Sequence, residues 1–515
     1  MTRSLATLFG ALLVLGVPIR LAHAGGMEFP ENGTRAMGRA GAFTAKADDP
    51  TAIVLNPAGL GFVRGLNLTF DNNLIQQDLC FQRAGTYPGE PAPYSFAGQP
   101  YPKVCRNLKG AFYVPMVAAS YDFGLKNWTF ALGGYGPHAV GRRKYPMVVT
   151  VQDPEGHAVR APGPSRYDTD EMNIIVMFYT AAAAYRPVKW LSIGAALQVV
   201  YGEVHYATWV PLSSNQDPDS DIRFQIATKG WSATGLLSTL MNPVKGLFIG
   251  ASVRFPVKVK TDGDAWLTLP SYMAALGAPL KWNEGQKKAS MTTELPLALR
   301  TGIRYAQKMK DHPEAPELWD IELDVLWERW SAIVSMDTKL NASLLDQEME
   351  WFKLNHFYQD VSEYRLGGSF TLPKKLGGGW LTFRLGTYYG SDASPKEYTR
   401  ADYAAWARVG FFVGLSYRIA GIDLHAGFSH IWNGTGKIWQ PWTFRNRRDV
   451  SASCIQPINA FVSAEPIRCD PGGLSETQQR SDISRGRWSG SYTTFSLGFT
   501  ARFDELYRVI QARKK

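Results

Sequence analysis

The chain has 515 residues, with 55 Lys and Arg against 45 Asp and Glu, a formal charge of +10, and an aromatic content of 13%. Beyond the first two dozen residues no apolar run reaches the ~20 residues a spanning helix needs, the nearest being 174–185, which argues against a helical membrane protein. The basic surplus suits anionic lipid head groups or anionic ligands better than nucleic acid, which a secreted chain rarely meets.

Residues 1–24 read as a secretion signal. Arg3 provides a basic start, residues 5–17 an apolar stretch, and Ala22-His23-Ala24 a small-x-small cleavage pattern, so the mature chain is expected to begin at Gly25. Residues 25–64 show no strand alternation. Small residues between Ala36 and Ala47 permit tight packing, and Asp48-Asp49-Pro50 and Asn56-Pro57-Ala58-Gly59 punctuate two short helical pieces. A compact plug inside a lumen fits this stretch better than a disordered leader.

From Gly65 to Phe503 apolar and polar residues alternate in short segments. In the last of them Phe495, Leu497, Phe499 and Phe503 share one parity, and Thr494, Ser496, Thr500 and Arg502 take the other. Strand side chains alternate between faces, so one face is greasy and the other wet. The alternation predicts fourteen strands, at 65–79, 108–123, 127–138, 172–186, 190–206, 224–241, 246–261, 292–306, 318–336, 354–371, 380–390, 405–418, 422–434 and 491–503. Tight turns around Lys126, Lys189, Lys245 and Gly421 alternate with long connections at 80–107, 139–171, 207–223, 262–291, 337–353, 391–404 and 435–490. Short periplasmic turns and long external loops are the asymmetry of outer-membrane barrels. The expectation is an all-β protein: a 14-stranded antiparallel transmembrane barrel of a Gram-negative outer membrane, spanning 65–503, with a hatch (25–64) in its lumen and a tail (504–515) of unassigned role. A soluble protein of many short strands would not explain the alternating loop lengths. Trp128, Trp190, Trp319 and Trp380 at one end of the strands, and Trp209, Trp330 and Trp432 at the other, suggest two interfacial belts.

Within the third strand Gly133, Gly134 and Gly136 weaken pairing and Pro137 lacks a ladder donor, so either a lateral opening or a simple strand end is expected there. If the apolar parity faces lipid, Arg254, Arg300, Arg304, Arg365, Arg384 and Arg408 point inward, as do Glu322 and Asp324. These arginines are candidates for holding a carboxylate head group; pinning the hatch or forming a charged ladder is the alternative for most of them, because buried charges need partners. Export to an oxidising compartment suggests disulfides among the four cysteines. Cys80–Cys105 and Cys454–Cys469 would each close a single connection, although spacing alone leaves the pairing open. No metal, cofactor or catalytic constellation is indicated. His425 and His430 are five apart on one strand and therefore face opposite sides.

The sequence resembles outer-membrane transporters of long-chain fatty acids and aromatic hydrocarbons, the FadL/TodX type. The likeness is carried by Ala36-Met-Gly-Arg-Ala-Gly-Ala42, Ala47-Asp-Asp-Pro-Thr-Ala52, Asn56-Pro-Ala-Gly-Leu60, the Ala181–Arg186 and Leu191–Gly194 stretches, Glu294-Leu-Pro296, Asp324 with Trp330-Ser331, Tyr364-Arg-Leu-Gly367 and Gly490-Ser-Tyr492. It implies that Gly38, Arg39, Asn56, Pro57 and Ala58 belong to a hatch motif. It also implies passive uptake of a hydrophobic small molecule, most readily a long-chain fatty acid or otherwise an aromatic hydrocarbon, through a kink in the third strand. Outer-membrane lipid and the barrel assembly machinery are the implied partners. A phospholipase and a structural barrel that transports nothing are the competing readings.

Overall fold

The computed structural model describes residues 32–88, 95–106, 110–136, 141–210, 219, 221–271, 273, 280–282, 285, 287–312, 315–344, 347–395, 402, 405–433, 448–450 and 486–513. The expected signal segment, Pro137, Cys454 and Cys469 lie outside these residues, as do most of the side chains between 272 and 279. No helix among the described residues is long and apolar enough to cross a membrane.

Fourteen antiparallel strands close into a barrel. The first six are Asn67–Arg83, Phe112–Tyr121, Trp128–Tyr135 (resumed as Gly141–Lys144), Glu171–Val188, Leu191–Val210 and Ile222–Val244. The next four are interrupted: Leu247–Arg254 with Val257–Thr268, Ala289–Leu295 with Ala298–Gln307, Trp319–Glu328 with Ser335–Leu344, and Gln347–Asn355 with Val361–Thr371. Trp380–Gly390, Arg408–Ile419, Ile422–Asn433 and Gly486–Arg502 complete the circuit. The last strand pairs back onto the first along its whole length, from Asn67 opposite Arg502 to Arg83 opposite Gly486.

The two faces follow the sequence parity. Leu132, Ile193, Leu197, Trp231, Leu385, Phe495 and Leu497 are exposed outward, whereas Thr69, Asp71, Asn73, Ser192, Gln198, Ser496 and Thr500 are buried toward the lumen. The wet and greasy faces are thus turned inside out relative to a soluble sandwich, as lipid on the outside requires.

The seventh and eighth strands break at Pro256 and Pro296, residues with no N–H to give to the ladder. The ninth breaks at a 3-10 turn, Trp330–Ala332. Beyond these breaks the sheet continues, so the expected boundaries stop short. Residues 262–268, 289–291, 337–344 and 347–353, assigned to connections by alternation, are paired strand. The connection after the third strand carries its own hairpin, Val148–Gln152 against Ala158–Pro162.

Cys80 and Cys105 are joined, the second residue sitting on a short strand, Lys103–Cys105, paired beside the first. The tryptophan belts are only partly as expected. Trp128 and Trp190 are exposed at the short-turn rim, but Trp380 turns inward and meets the His312 ring, and Trp330 is wholly buried in its 3-10 turn. An end-of-strand position gives no control over which face a tryptophan takes.

Leu197, 60% exposed on the fifth strand, lies well inside the outward apolar band. Leu197→Arg should lower folding stability in lipid vesicles by about 2–4 kcal/mol, the cost of a cation near the bilayer midplane. Denaturant titration followed by heat-modifiable gel mobility would measure it.

Candidate functional site

The residues of interest converge on the lumen. Residues 32–64 lie inside the barrel, almost all of them buried. The local chemistry explains their shape. Thr34–Met37 is one helical turn, Ala52–Leu55 another, and Asn56 caps the 3-10 helix Pro57–Phe62 by accepting from the Ala58 N–H. The Asn56 amide also donates to the Thr44 carbonyl at 2.7 Å and the Thr239 carbonyl at 3.1 Å, tying both halves of the segment to the sixth strand. Ala58 N–H donates to Ser238 Oγ at 2.9 Å. Gly38 packs so closely on Gly414 of the twelfth strand that a Cβ there would sit 2.8 Å from the Gly414 Cα. A side chain at either position would push the segment off the wall.

One wall of the lumen is ionic. Asp320, Glu322 and Asp324 alternate on the ninth strand, so all three point inward. Arg39 donates to Asp320 at 2.7 Å and Glu322 at 3.1 Å, with all three side chains fully buried. The backbone N–H groups of Phe43 and Thr44 donate to Asp324, at 3.0 and 2.9 Å, and that of Ala45 donates to Glu322 at 2.6 Å. Lys46 reaches Glu317 at 2.8 Å. Within the segment Arg35 pairs with Asp49 at 2.5 Å and Asp48 at 2.9 Å.

The six candidate arginines do point inward, but they divide into groups. Arg304 forks onto Glu317 with two 2.8 Å bonds and so belongs to the cluster around Lys46. Arg384 donates to Ser416 Oγ at 2.5 Å, and that hydroxyl also meets His425 Nδ1 at 2.6 Å. Arg254, Arg300, Arg365 and Arg408 form a belt further toward the loops, all buried. Arg254 meets Glu328 at 3.3 Å, Arg365 meets Glu363 at 2.5 Å, and Arg408 lies against Tyr388. His430 contacts Thr493 Oγ at 2.9 Å from a half-buried position, so the two histidines do not share a site.

The opposite wall is apolar. Ile53, Val54, Leu55 and Leu60 pack with Met116, Ala118, Ala131, Tyr135, Phe178, Ala182, Ala196, Val200 and Leu236. A second apolar cluster lines the loop side of the lumen, including Met172, Ile174, Phe224, Met291, Trp330, Met336 and Tyr358. Val176 packs against both clusters.

Val176 also sits in an interval of the described ladder between the third and fourth strands. The third strand pairs with the fourth from Trp128 opposite Tyr185 up to Tyr135 opposite Phe178, and pairing resumes at Gly141 opposite Ile174. Among the described residues Ile175–Met177 have no ladder partner on that side. On the other side, the third strand's pairing with the second ends at Tyr135 opposite Met116. The glycines differ in role. Gly134 shares the outward parity of Leu132, and a Cβ there would meet only the Tyr179 ring, at 3.6 Å. Gly133 faces Ile53, whose Cδ1 would lie 2.4 Å from an added Cβ, and Gly136 is buried beside Met177 and Val114. Gly133 and Gly136 are therefore the crowded positions and Gly134 the open one. Sequence reasoning missed Asp320, although its parity matches Glu322 and Asp324, and it missed Ile53 and Val176, which no motif marks.

Arg39→Ala would take the guanidinium from Glu322 and leave Asp320 only Lys46 and Arg304, at 3.5 and 3.6 Å, a loss of about 3–5 kcal/mol for a buried pair broken on one side. The expected outcome is a barrel of normal heat-modifiability whose planar-bilayer current shows openings absent from the parent.

Comparison with known proteins agrees with this geometry. No curated protein sequence matches the chain. A crystal structure of a Pseudomonas aeruginosa FadL homologue superposes with a TM-score of 0.66 at 14% identity, covering 92% of this chain and 100% of the other. The Ralstonia pickettii toluene transporter TbuX gives 0.56 at 16% identity, covering 92% and 99%, and the P. putida toluene transporter TodX 0.57 at 13%, covering 93% and 99%. At such identities the likeness shows the fold. The family model described as outer membrane protein transport protein (OMPP1/FadL/TodX) matches residues 18–453, and its members are transport channels of Gram-negative outer membranes. An inward-turned polar lumen, a segment held within it and a match over most of the sequence place this chain in the OMPP1/FadL/TodX family of outer-membrane transporters of hydrophobic compounds.

Proposed function

We propose that the protein takes up long-chain fatty acids passively, with residues 32–64 acting as a hatch and the interval beside the third strand as the exit into the membrane. The observation that carries this reading is the apolar wall continuous from the loop-side cluster, through Val176, to Ile53 behind that interval. An acyl chain moving along that wall stays in apolar surroundings, and each methylene kept from water is worth roughly 0.8 kcal/mol. The belt of Arg254, Arg300, Arg365 and Arg408 borders the wall, and guanidinium suits a carboxylate head group. An aromatic hydrocarbon has no head group and no use for that belt. Arg304 and Arg384 are assigned to the hatch side instead, because Arg304 shares Glu317 with Lys46 of the segment and Arg384 lies near Arg35 and Arg39. The motive force is downhill partitioning, and the hatch excludes water when no ligand is bound.

In cells lacking their own fatty-acid uptake, Gly136→Trp should reduce entry of radiolabelled oleate about tenfold at equal levels of folded protein, since sterics would fill the interval from inside. The double change Arg254→Gln and Arg300→Gln should lower oleate entry while leaving toluene entry unchanged. Toluene entry without oleate entry in the parent would overturn the fatty-acid reading, and normal oleate entry through Gly136→Trp would overturn the lateral route.

A further inference from the structure

The last barrel strand does not end the chain. Its outward row, Phe495, Leu497 and Phe499, continues in parity to Phe503, and there the backbone turns into an 11-residue helix, Phe503–Arg513. The strand-to-helix joint is fixed to the rim. Phe503 N–H donates to the Leu66 carbonyl at 3.0 Å and Arg502 N–H to the Gly421 carbonyl at 2.7 Å. Asp504 lies against Gly65, and the Leu506 backbone against Gly421, close enough that a Cβ on either glycine would collide. This is the rim of the short turns, which in an outer-membrane barrel faces the periplasm.

The helix has one side that the rim does not cover. Phe503, Tyr507 and Ile510 stand at i, i+4 and i+7, a single stripe, and are 38%, 64% and 44% exposed. Leu506 and Val509 are half-buried beside them on the rim side. Because Phe503 belongs both to this stripe and to the lipid-facing row of the strand, the stripe extends the barrel's apolar band at the level where hydrocarbon gives way to head groups. The sequence from Asp504 to Lys515 has four cations, Arg508, Arg513, Lys514 and Lys515, against two acids, Asp504 and Glu505. The acids occupy the first turn, and Arg508 and Arg513 later positions of the helix, an arrangement that the helix dipole favours.

We propose that this helix is an interfacial anchor: it lies along the periplasmic leaflet of the outer membrane, with Phe503, Tyr507 and Ile510 at the acyl boundary and Arg508 toward anionic phospholipid head groups. An apolar stripe opposite a polar, charged face, here Asp504, Glu505, Arg508 and Gln511, is the pattern of helices that lie in a membrane interface rather than cross it. Eleven residues span about 16 Å, far short of a crossing. A soluble periplasmic partner would not require the stripe to be in phase with the lipid row.

The test is hydrogen–deuterium exchange of the full chain in detergent, in phosphatidylcholine nanodiscs and in nanodiscs that also contain phosphatidylglycerol. Amides of 506–513 are expected to exchange about tenfold more slowly in the mixed discs than in detergent, with a smaller slowing in phosphatidylcholine alone. The full-chain variant Tyr507→Glu with Ile510→Glu should lose that slowing, while exchange in the barrel strands, which reports folding, stays as in the parent. Equal exchange in detergent and bilayer, or slowing that survives in the double variant, would overturn the anchor. Equal slowing in the two disc types would overturn the head-group assignment, and slowing in detergent that grows with protein concentration would assign the face to a second copy of the chain.

Discussion

Everything in this molecule follows from the pairing of the last strand with the first. In hydrocarbon, an unpaired N–H or C=O costs several kcal/mol, so a sheet can cross a bilayer only if it has no edge. The register from Asn67–Arg502 to Arg83–Gly486 removes that edge and commits every residue of odd and even parity to lipid or to lumen. The lumen then collects what lipid would not accept, and those groups need partners. Residues 32–64 are the partners. Backbone N–H groups of Phe43, Thr44 and Ala45 face the carboxylates of the ninth strand, and Arg39 and Lys46 face the same row. Where the described pairing of the third and fourth strands is interrupted, beside Gly136 and Val176, Ile53 packs on the inside.

The two walls of the lumen hold the segment by unlike forces, and this determines how it could move. At the ninth strand the contacts are directional: three ion pairs and several N–H donors. At the second to sixth strands methyl groups and small side chains dominate, joined by hydrogen bonds from Asn56 and Ala58 to the sixth strand. Any movement of Ala52–Leu55 would have to break the bonds that Ser252 gives to Leu55 and Asn56 gives to Thr239, as well as slide the methyl contacts.

Much of this architecture was readable from the sequence because the physics of the two solvents writes itself into parity. Fourteen strands, the tight turns, the inward arginines and the glycines of the third strand all follow from alternation and from the lack of an N–H in proline. The upper extensions, such as 337–344 against 347–353, were not readable, because beyond the bilayer neither face meets lipid and alternation fades. The orientation of Trp330 and Trp380 was not readable either, since each depends on a local break or a neighbouring loop. Partner choice was the least legible. Arg304 meets Glu317, a turn residue, and nothing in the spacing of the two chain positions announces that the turn folds back over the lumen. Gly134 looked equivalent to Gly133 in the string of letters, yet the pleat places one outside and the other inside.

The burial of the Arg39 cluster has a consequence for where such a cell can live. Mobile ions weaken attraction between exposed charges over roughly 8–10 Å, but they act far less on charges that solvent cannot reach. Arg39, Asp320 and Glu322 are fully buried, whereas the external pair Arg142–Glu171 is 54% and 21% exposed. Brine would therefore loosen the external pair long before the internal one. The outer membrane has no means of setting the salinity of the medium beyond it, and here the hold on residues 32–64 is set by the protein alone: it is the same in fresh water and in the sea.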